Sequence, residues 1–280
     1  MIYQLAPMEA VTCWAFRALC TKFGADRTYT EMIRAKALGK DNNASWSLID
    51  TYGEESCHLQ LAANNTQEID AFFLTLDDRR LVDRHLENVQ GYNLNLGCPS
   101  PEVIDYGGGA ALIKRVNKVC EIIKAMAEQT NLPITIKMRL GLNQREMENK
   151  VYLNLIDGLN SLELENFKEI IVHLKHAQEK STDKAHRELV PEIMEKWKGD
   201  LTLNGGYSDH SLPKEPVYGV MFARSALKDP AVFAKVKGEK VGPGRALMEY
   251  GRLCQKHKPK LKYTEYISQN SGMFKEMFRR

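Results

Sequence analysis

Short runs in which apolar and polar residues alternate recur along this chain, over residues 2–6, 28–33, 57–62, 91–96, 133–138, 169–174, 200–203 and 217–222. Such runs read as β-strands, and these eight are the candidate strands. Most are separated by segments of helical spacing. From Ala110 to Gln129, for example, Leu112, Val116, Val119, Ile123 and Met126 recur at steps of three and four residues. Strand and helix alternating eight times predict an α/β fold of the (β/α)8 TIM-barrel kind rather than an open doubly wound sheet. The connection from Gly205 to Val217 is about thirteen residues of mainly Gly, Ser, His, Pro and Lys, in which a full helix barely fits. Beyond 235, Gly238, Gly242, Pro243 and Gly244 break the pattern, and Arg245 to Cys254 reads as a helix. The division predicted is a barrel over 1–235 and a small C-terminal helical domain over 240–280.

Chemistry concentrates where the candidate strands end. In Asn93-Leu94-Asn95-Leu96-Gly97-Cys98-Pro99 the alternation points Asn93 and Asn95 the same way and stops at a thiol that Gly97 leaves free to be presented. In a parallel barrel, residues at the carboxyl ends of the strands face the active site. In chain order those ends offer Ala6-Pro7-Met8, Gln60, Asn95 with Cys98, Lys137 with Arg139, His173, Asn204-Gly205-Gly206 and Ala223-Arg224. Gly205-Gly206 lets backbone N–H groups approach a ligand, and Arg224-Ser225 opening a helix adds a guanidinium, which together suit the phosphate of a mononucleotide cofactor. Gln60 and Lys137 suit a flavin in particular, whose pyrimidine edge needs amide partners and whose reduced anion needs a nearby cation. There is no GxGxxG at a strand-turn-helix junction and no GxxxxGK[ST]. Gly107-Gly108-Gly109 lacks the dinucleotide spacing and reads as a mobile loop before a helix, so a nicotinamide would visit the flavin site as a transient reductant.

Composition narrows the class without deciding the function. With 43% apolar and 27% charged residues, the chain fits a folded soluble protein and not a disordered one. The absence of a basic leader with a long apolar run, and of any apolar stretch near 18 residues, predicts a cytoplasmic protein. Its six cysteines form no CxxC pair, which argues against a zinc ribbon or an iron-sulfur cluster, and they are expected to be reduced. Cys13, Cys20 and Cys120 are assigned to the core, and Trp14, Trp46 and Trp197 to packing or surface anchoring. Net charge is only +3, yet residues 228–280 hold 13 Lys or Arg against 5 Asp or Glu. That excess includes Lys256, Lys258, Lys260 and Lys262 beside Tyr263 and Tyr266, a basic face able to follow a phosphate backbone or simply to stay solvated.

These motifs, in this order and spacing over roughly residues 1–233, resemble the dihydrouridine synthase family, FMN-dependent enzymes that reduce uridines in tRNA. Asn95-Leu96-Gly97-Cys98-Pro99 carries the resemblance most specifically, and Ile136-Lys137-Met138-Arg139 and Val172-His173 follow in the family's order. The resemblance implies a TIM barrel with a C-terminal helical domain, bound FMN, NADPH as reductant and a cysteine acting as acid. FMN contacts would fall on Pro7, Met8, Gln60, Lys137, His173, Asn204, Gly206, Ala223 and Arg224, with Asn95 and Arg139 near the uracil. Hydride would go to C6 and a proton from Cys98 to C5, and free thiols are mostly protonated at neutral pH, the form an acid needs. The target base must leave its stack to enter a barrel mouth, with the basic C-terminal region holding the tRNA. A monomer is expected. Five features depart from the family pattern: Ser100-Pro101-Glu102 where a basic residue is common, Lys175-His176 in place of an arginine-containing pair, Ala223 where glycine is usual, the short connection from Gly205 to Val217, and a short C-terminal domain. Two other readings stay open from the residues: an FMN barrel acting on a free pyrimidine, as dihydroorotate dehydrogenases do, and a tRNA-binding barrel without turnover.

Overall fold

The computed structural model describes residues 1–54, 56–242 and 244–275. Pro243 in the expected linker and residues 276–280 of the expected basic extension lie outside it. Eight parallel strands run β1 Ile2–Leu5, β2 Thr28–Tyr29, β3 Cys57–Ala62, β4 Gly91–Leu96, β5 Ile134–Arg139, β6 Phe167–His173, β7 Asp200–Asn204 and β8 Gly219–Phe222. Their hydrogen-bonded order is β1-β8-β7-β6-β5-β4-β3-β2. The ring closes because Leu5 N–H donates to Arg27 O at 2.9 Å and Asp26 N–H to Tyr3 O at 2.8 Å. The fold is therefore a closed TIM barrel.

Alternation along each strand divides two environments. On β4, Leu94 and Leu96 pack among the helices while Asn93 and Asn95 turn into the barrel. Helix Val116–Gln129 buries Val119, Ile122, Ile123 and Met126 in that outer apolar layer, each side chain contributing roughly 2 kcal/mol on burial. The lower barrel interior is filled by a polar cluster in place of an aliphatic plug. Gln4 Nε2 donates to Glu169 Oε1 at 2.6 Å and to Thr202 Oγ1 at 3.0 Å, Tyr29 OH donates to Gln4 Oε1 at 2.7 Å, and Arg27 pairs with Glu169. With every partner satisfied, burying these groups costs little, and the cluster floors the barrel.

Local structure differs from expectation in two places. The second strand keeps only Thr28–Tyr29, and Ile33–Arg34 forms a separate two-residue strand beside the end of β3. The segment expected as one helix from Ala110 begins instead as a single 3-10 turn, Gly109–Leu112, before helix Val116–Gln129. Among the described residues no helix joins β7 to β8. Tyr207 is buried in that connection beneath the Arg187 guanidinium, 4.4 Å from its ring centroid. Cys13 and Cys20 are core residues as expected, whereas Cys120 is partly exposed. Trp14, Trp46 and Trp197 are all buried.

Helix Arg245–Lys256 lies against helix Trp14–Lys22, where Lys22 pairs with Glu249. Helix Leu261–Asn270 buries Tyr263 and Ile267. Among the described residues no helix is long and apolar enough to cross a membrane.

Candidate functional site

Strand register brings the candidate residues to one level. Arg139 pairs with His173, His173 with Asn204, and Asn204 with Met221, while Asn95 pairs with Lys137. Two adjoining cavities open at the carboxyl ends of these strands. The first, about 510 Å³, is lined by Pro7, Gln60, Asn95, Cys98, Lys137 and Lys262 among others. The second, about 670 Å³, is lined by Met8, His173, Asn204, Gly205, Gly206, Ala223 and Arg224 among others. Arg139 and Pro99 line both. The cavities thus gather every strand-end residue singled out above from Pro7 to Arg224. A third cavity, about 660 Å³, opens at the opposite end around Arg27, Glu169 and Asp200, and contains none of them.

Cys98 is held by its neighbours' side chains. Asn95 Oδ1 accepts from both Gly97 N–H at 3.1 Å and Cys98 N–H at 2.9 Å, closing the turn after β4, while its Nδ2 donates to Gln60 Oε1 at 2.9 Å. Gln60 Nε2 in turn donates to Asn93 Oδ1 at 2.7 Å, and Asn93 Nδ2 to Thr135 Oγ1 at 2.7 Å. Arg139 braces the same turn from β5: its Nε donates to Gly97 O at 2.9 Å and its Nη1 to His176 O at 3.0 Å. The third support is Gly109, whose φ of +55° and whose missing Cβ, which would sit 2.7 Å from Cys98 O, let the glycine segment lie directly on the cysteine backbone. Ala110 N–H donates to Cys98 O at 3.2 Å. Gly109 is consequently a close-packed support for Cys98, where the composition of the three-glycine run suggested a mobile loop.

Basic groups crowd Lys137, Arg139 and His173, although the first cavity also carries Glu9, Glu31 and Glu102. Burial, reinforced by the Arg139 guanidinium, lowers the Lys137 ammonium to about 7. His173 is driven well below its ordinary value by burial and by Lys137, Arg139, Lys175 and Arg224, so it is neutral at pH 7. An anion entering here would relieve that mutual repulsion. Gly205 and Gly206, at φ of +128° and +72°, carry the chain past His173, and a Cβ on Gly205 would lie 3.3 Å from Ala185 Cβ and 3.4 Å from His173 Cδ2.

The C-terminal lysines divide. Lys262 reaches the first cavity, 3.2 Å from Glu31 Oε1, while Lys258 and Lys260 line a separate groove of about 310 Å³ with Trp46 and Tyr263. Lys260 Nζ donates to Ser47 Oγ at 2.6 Å, and Lys256 Nζ lies 5.9 Å from the Trp14 ring centroid. Glu31 was missed by sequence reasoning. It follows β2, the one strand whose end yielded no candidate, and its carboxylate accepts from Ala10 N–H at 3.2 Å and from the Tyr263 hydroxyl. Strand-end position would have found it. Asn93, Pro99 and Glu179 were also passed over as site residues.

Fold and site together define a TIM-barrel protein with polar, cationic cavities at the carboxyl ends of its strands. A family model described as dihydrouridine synthase (Dus) matches residues 4–279. The chain belongs to the dihydrouridine synthase family. Among curated relatives, a tRNA-dihydrouridine(47) synthase [NAD(P)(+)]-like protein of Xenopus tropicalis is 29% identical over 244 residues, covering 84% of this chain and 36% of the relative. A probable tRNA-dihydrouridine synthase of Helicobacter pylori is 26% identical over 242 residues, covering 83% of this chain and 69% of the relative. The chain therefore spans about a third of the frog protein. Among solved structures, an old yellow enzyme homologue from Zymomonas mobilis superposes with a TM-score of 0.52 at 12% identity, covering 95% of this chain and 94% of that one. Morphinone reductase gives 0.53 at 14%, covering 95% and 91%. These two show likeness of fold.

Proposed function

We propose that this protein is a flavin-dependent tRNA-dihydrouridine synthase, reducing the C5–C6 double bond of a uridine in tRNA with FMN as bound cofactor and NADPH as reductant. The observation that carries the reading is the meeting of Cys98, Lys137 and Arg139 in one cavity beside the glycine-bounded cationic cavity. Family membership and the names of the relatives support it.

The residues fit FMN. Gly205 and Gly206 leave main chain without side chains beside Arg224, as a phosphate needs, and Gln60, Asn204 and Lys137 provide amides and a cation for the ring system. When bound, reduced FMN supplies a hydride for C6 of the uracil and NADPH restores it. Cys98 gives its thiol proton to C5 and is reprotonated from solvent, so two electrons and two hydrogens enter the ring. Asn95 and Arg139 orient the turn that carries the thiol and face the cavity that receives the base. Lys137, lowered to about 7 by burial, would be held as the ammonium beside a reduced flavin and would favour its anion. The two cavities together receive a base only if it is extruded from the tRNA. Lys256, Lys258, Lys260 and Lys262 hold the tRNA backbone, and the protein works as a cytoplasmic monomer, with 1–235 as the catalytic barrel and 240–280 as the RNA-holding extension.

The test is nucleoside mass spectrometry of unmodified tRNA incubated with the purified protein, FMN and NADPH. New dihydrouridine is expected. Its absence, with a bound flavin that NADPH reduces, would shift the reading to a free pyrimidine substrate, and its absence with no flavin to a tRNA-binding barrel without turnover.

A further inference from the structure

Lys175 follows β6 and is 2% exposed. An ammonium has three N–H donors and no acceptor. Here all three are engaged by main-chain carbonyls of one downstream loop: Lys180 O at 2.8 Å, Ser181 O at 3.2 Å and Asp183 O. The loop is closed on itself around that point. Lys180 N–H donates to Asp183 Oδ2 at 2.7 Å and Asp183 N–H to Lys180 O at 3.2 Å. Glu179 anchors its base, accepting from His176 N–H at 2.6 Å and lying 3.0 Å from His186 Nε2. The same loop is a wall of the second cavity, with Glu179, Lys180 and Ser181 facing Arg139, His173 and Arg224; Lys175 also borders this cavity, with its ammonium turned to the loop carbonyls.

We propose that Lys175 is a positioning residue that folds residues 176–187 into the wall of the second cavity beside Arg139, which borders both cavities and donates to His176 O, and that it does not itself contact RNA phosphate. Three carbonyl dipoles converging on one buried ammonium act as a staple, and a donor so engaged has no N–H left for a ligand. The inference rests on the reading that the two adjoining cavities together serve bound flavin and a tRNA uridine, since it assigns the wall beside Arg139 a role in accepting that substrate. Lys180 and Ser181 then become the groups presented to the RNA.

The test uses the full chain loaded with FMN, as Lys175→Ala and Lys175→Arg, with hydrogen exchange at the Lys180 and Asp183 amides and steady-state kinetics on tRNA. Lys175→Ala is expected to speed exchange of both amides at least tenfold, on the order of the loss of one charged hydrogen-bonded anchor, and to raise KM for tRNA more than it lowers kcat. Propylammonium, which replaces the deleted atoms, should restore both, and tetramethylammonium, which has no N–H, should restore neither. Lys175→Arg keeps the charge but cannot converge its planar fork on three carbonyls around one point, so it should resemble the alanine variant. Unchanged exchange in Lys175→Ala, or a wild-type KM in Lys175→Arg, would overturn the proposal in favour of a phosphate contact. Should the wild-type protein form no dihydrouridine, the functional reading fails, and exchange with propylammonium still decides whether Lys175 is a staple.

Discussion

Cys98 reaches its place through other residues' hydrogen bonds. Asn95 Oδ1 takes two consecutive N–H groups of the turn and Arg139 takes the carbonyl between them, so the thiol projects from a backbone with little freedom. Removing the thiol leaves that scaffold intact. Cys98→Ala should therefore retain flavin and tRNA while losing about 10²- to 10⁴-fold in uridine reduction, the range for a lost general acid. Single-turnover oxidation of the reduced flavin by tRNA measures this, and an unchanged rate would take Cys98 out of the chemistry. Lys137 makes a prediction of opposite sense for stability. Its folded pKa of about 7 lies below that of the unfolded chain, so between about pH 7 and 10 the unfolded state binds more protons and stability rises with pH. Below that window the buried charge is uncompensated in the cofactor-free protein. Lys137→Met should accordingly stabilise the cofactor-free protein at pH 6 by on the order of a few kcal/mol and have little effect near pH 10. Denaturant melts at the two pH values would show this, and an equal effect at both would contradict it.

At the scale of elements, the loops are more tightly built than their composition suggests. Gly109 lies against the Cys98 carbonyl at a left-handed φ, so an added methyl group meets both a clash and backbone strain. Gly109→Ala should cost roughly 1–3 kcal/mol and displace the thiol, lowering the melting temperature and slowing uridine reduction together. A melting point equal to wild type would refute the close-packing argument. The helix expected from Ala110 is divided in two and its α-helical part starts late. Gly109 and Ala110 are held on Cys98 as a single 3-10 turn, Arg115 at φ −103° and ψ 61° leaves the helical path, and Val116–Gln129 then continues with its apolar face as read. The second strand is short for a related reason. Glu31 leaves the sheet to meet Tyr263 and Ala10, a demand set by partners 232 and 21 residues away that no local alternation records.

For the whole molecule, the uneven charge is the feature that bears on a large polyanionic partner. The lysines of the C-terminal segment sit in three places, Lys256 over the Trp14 ring, Lys258 with Lys260 in a separate groove, and Lys262 at the cavity mouth. Lys258→Glu with Lys260→Glu should weaken tRNA binding and flatten its dependence on log salt by about 0.7–0.9 for each phosphate no longer neutralised. Binding curves at several salt concentrations would test it, an unchanged slope meaning that this face is only solvated.

The eight strands, the closed-barrel class and the row of polar residues from Pro7 to Arg224 were legible without coordinates. Period-two alternation and the strand-end rule are local signals, and the barrel turns them into a common level by register alone. Three things came only with the chain folded: the support of Cys98 by Asn95, Arg139 and Gly109, the role of Glu31 under the C-terminal helix, and the engagement of Lys175 by three carbonyls. Each depends on which groups converge from distant segments or from a loop's path through space. A sequence records the donors, but only tertiary structure decides which acceptors they meet and which remain open to a ligand.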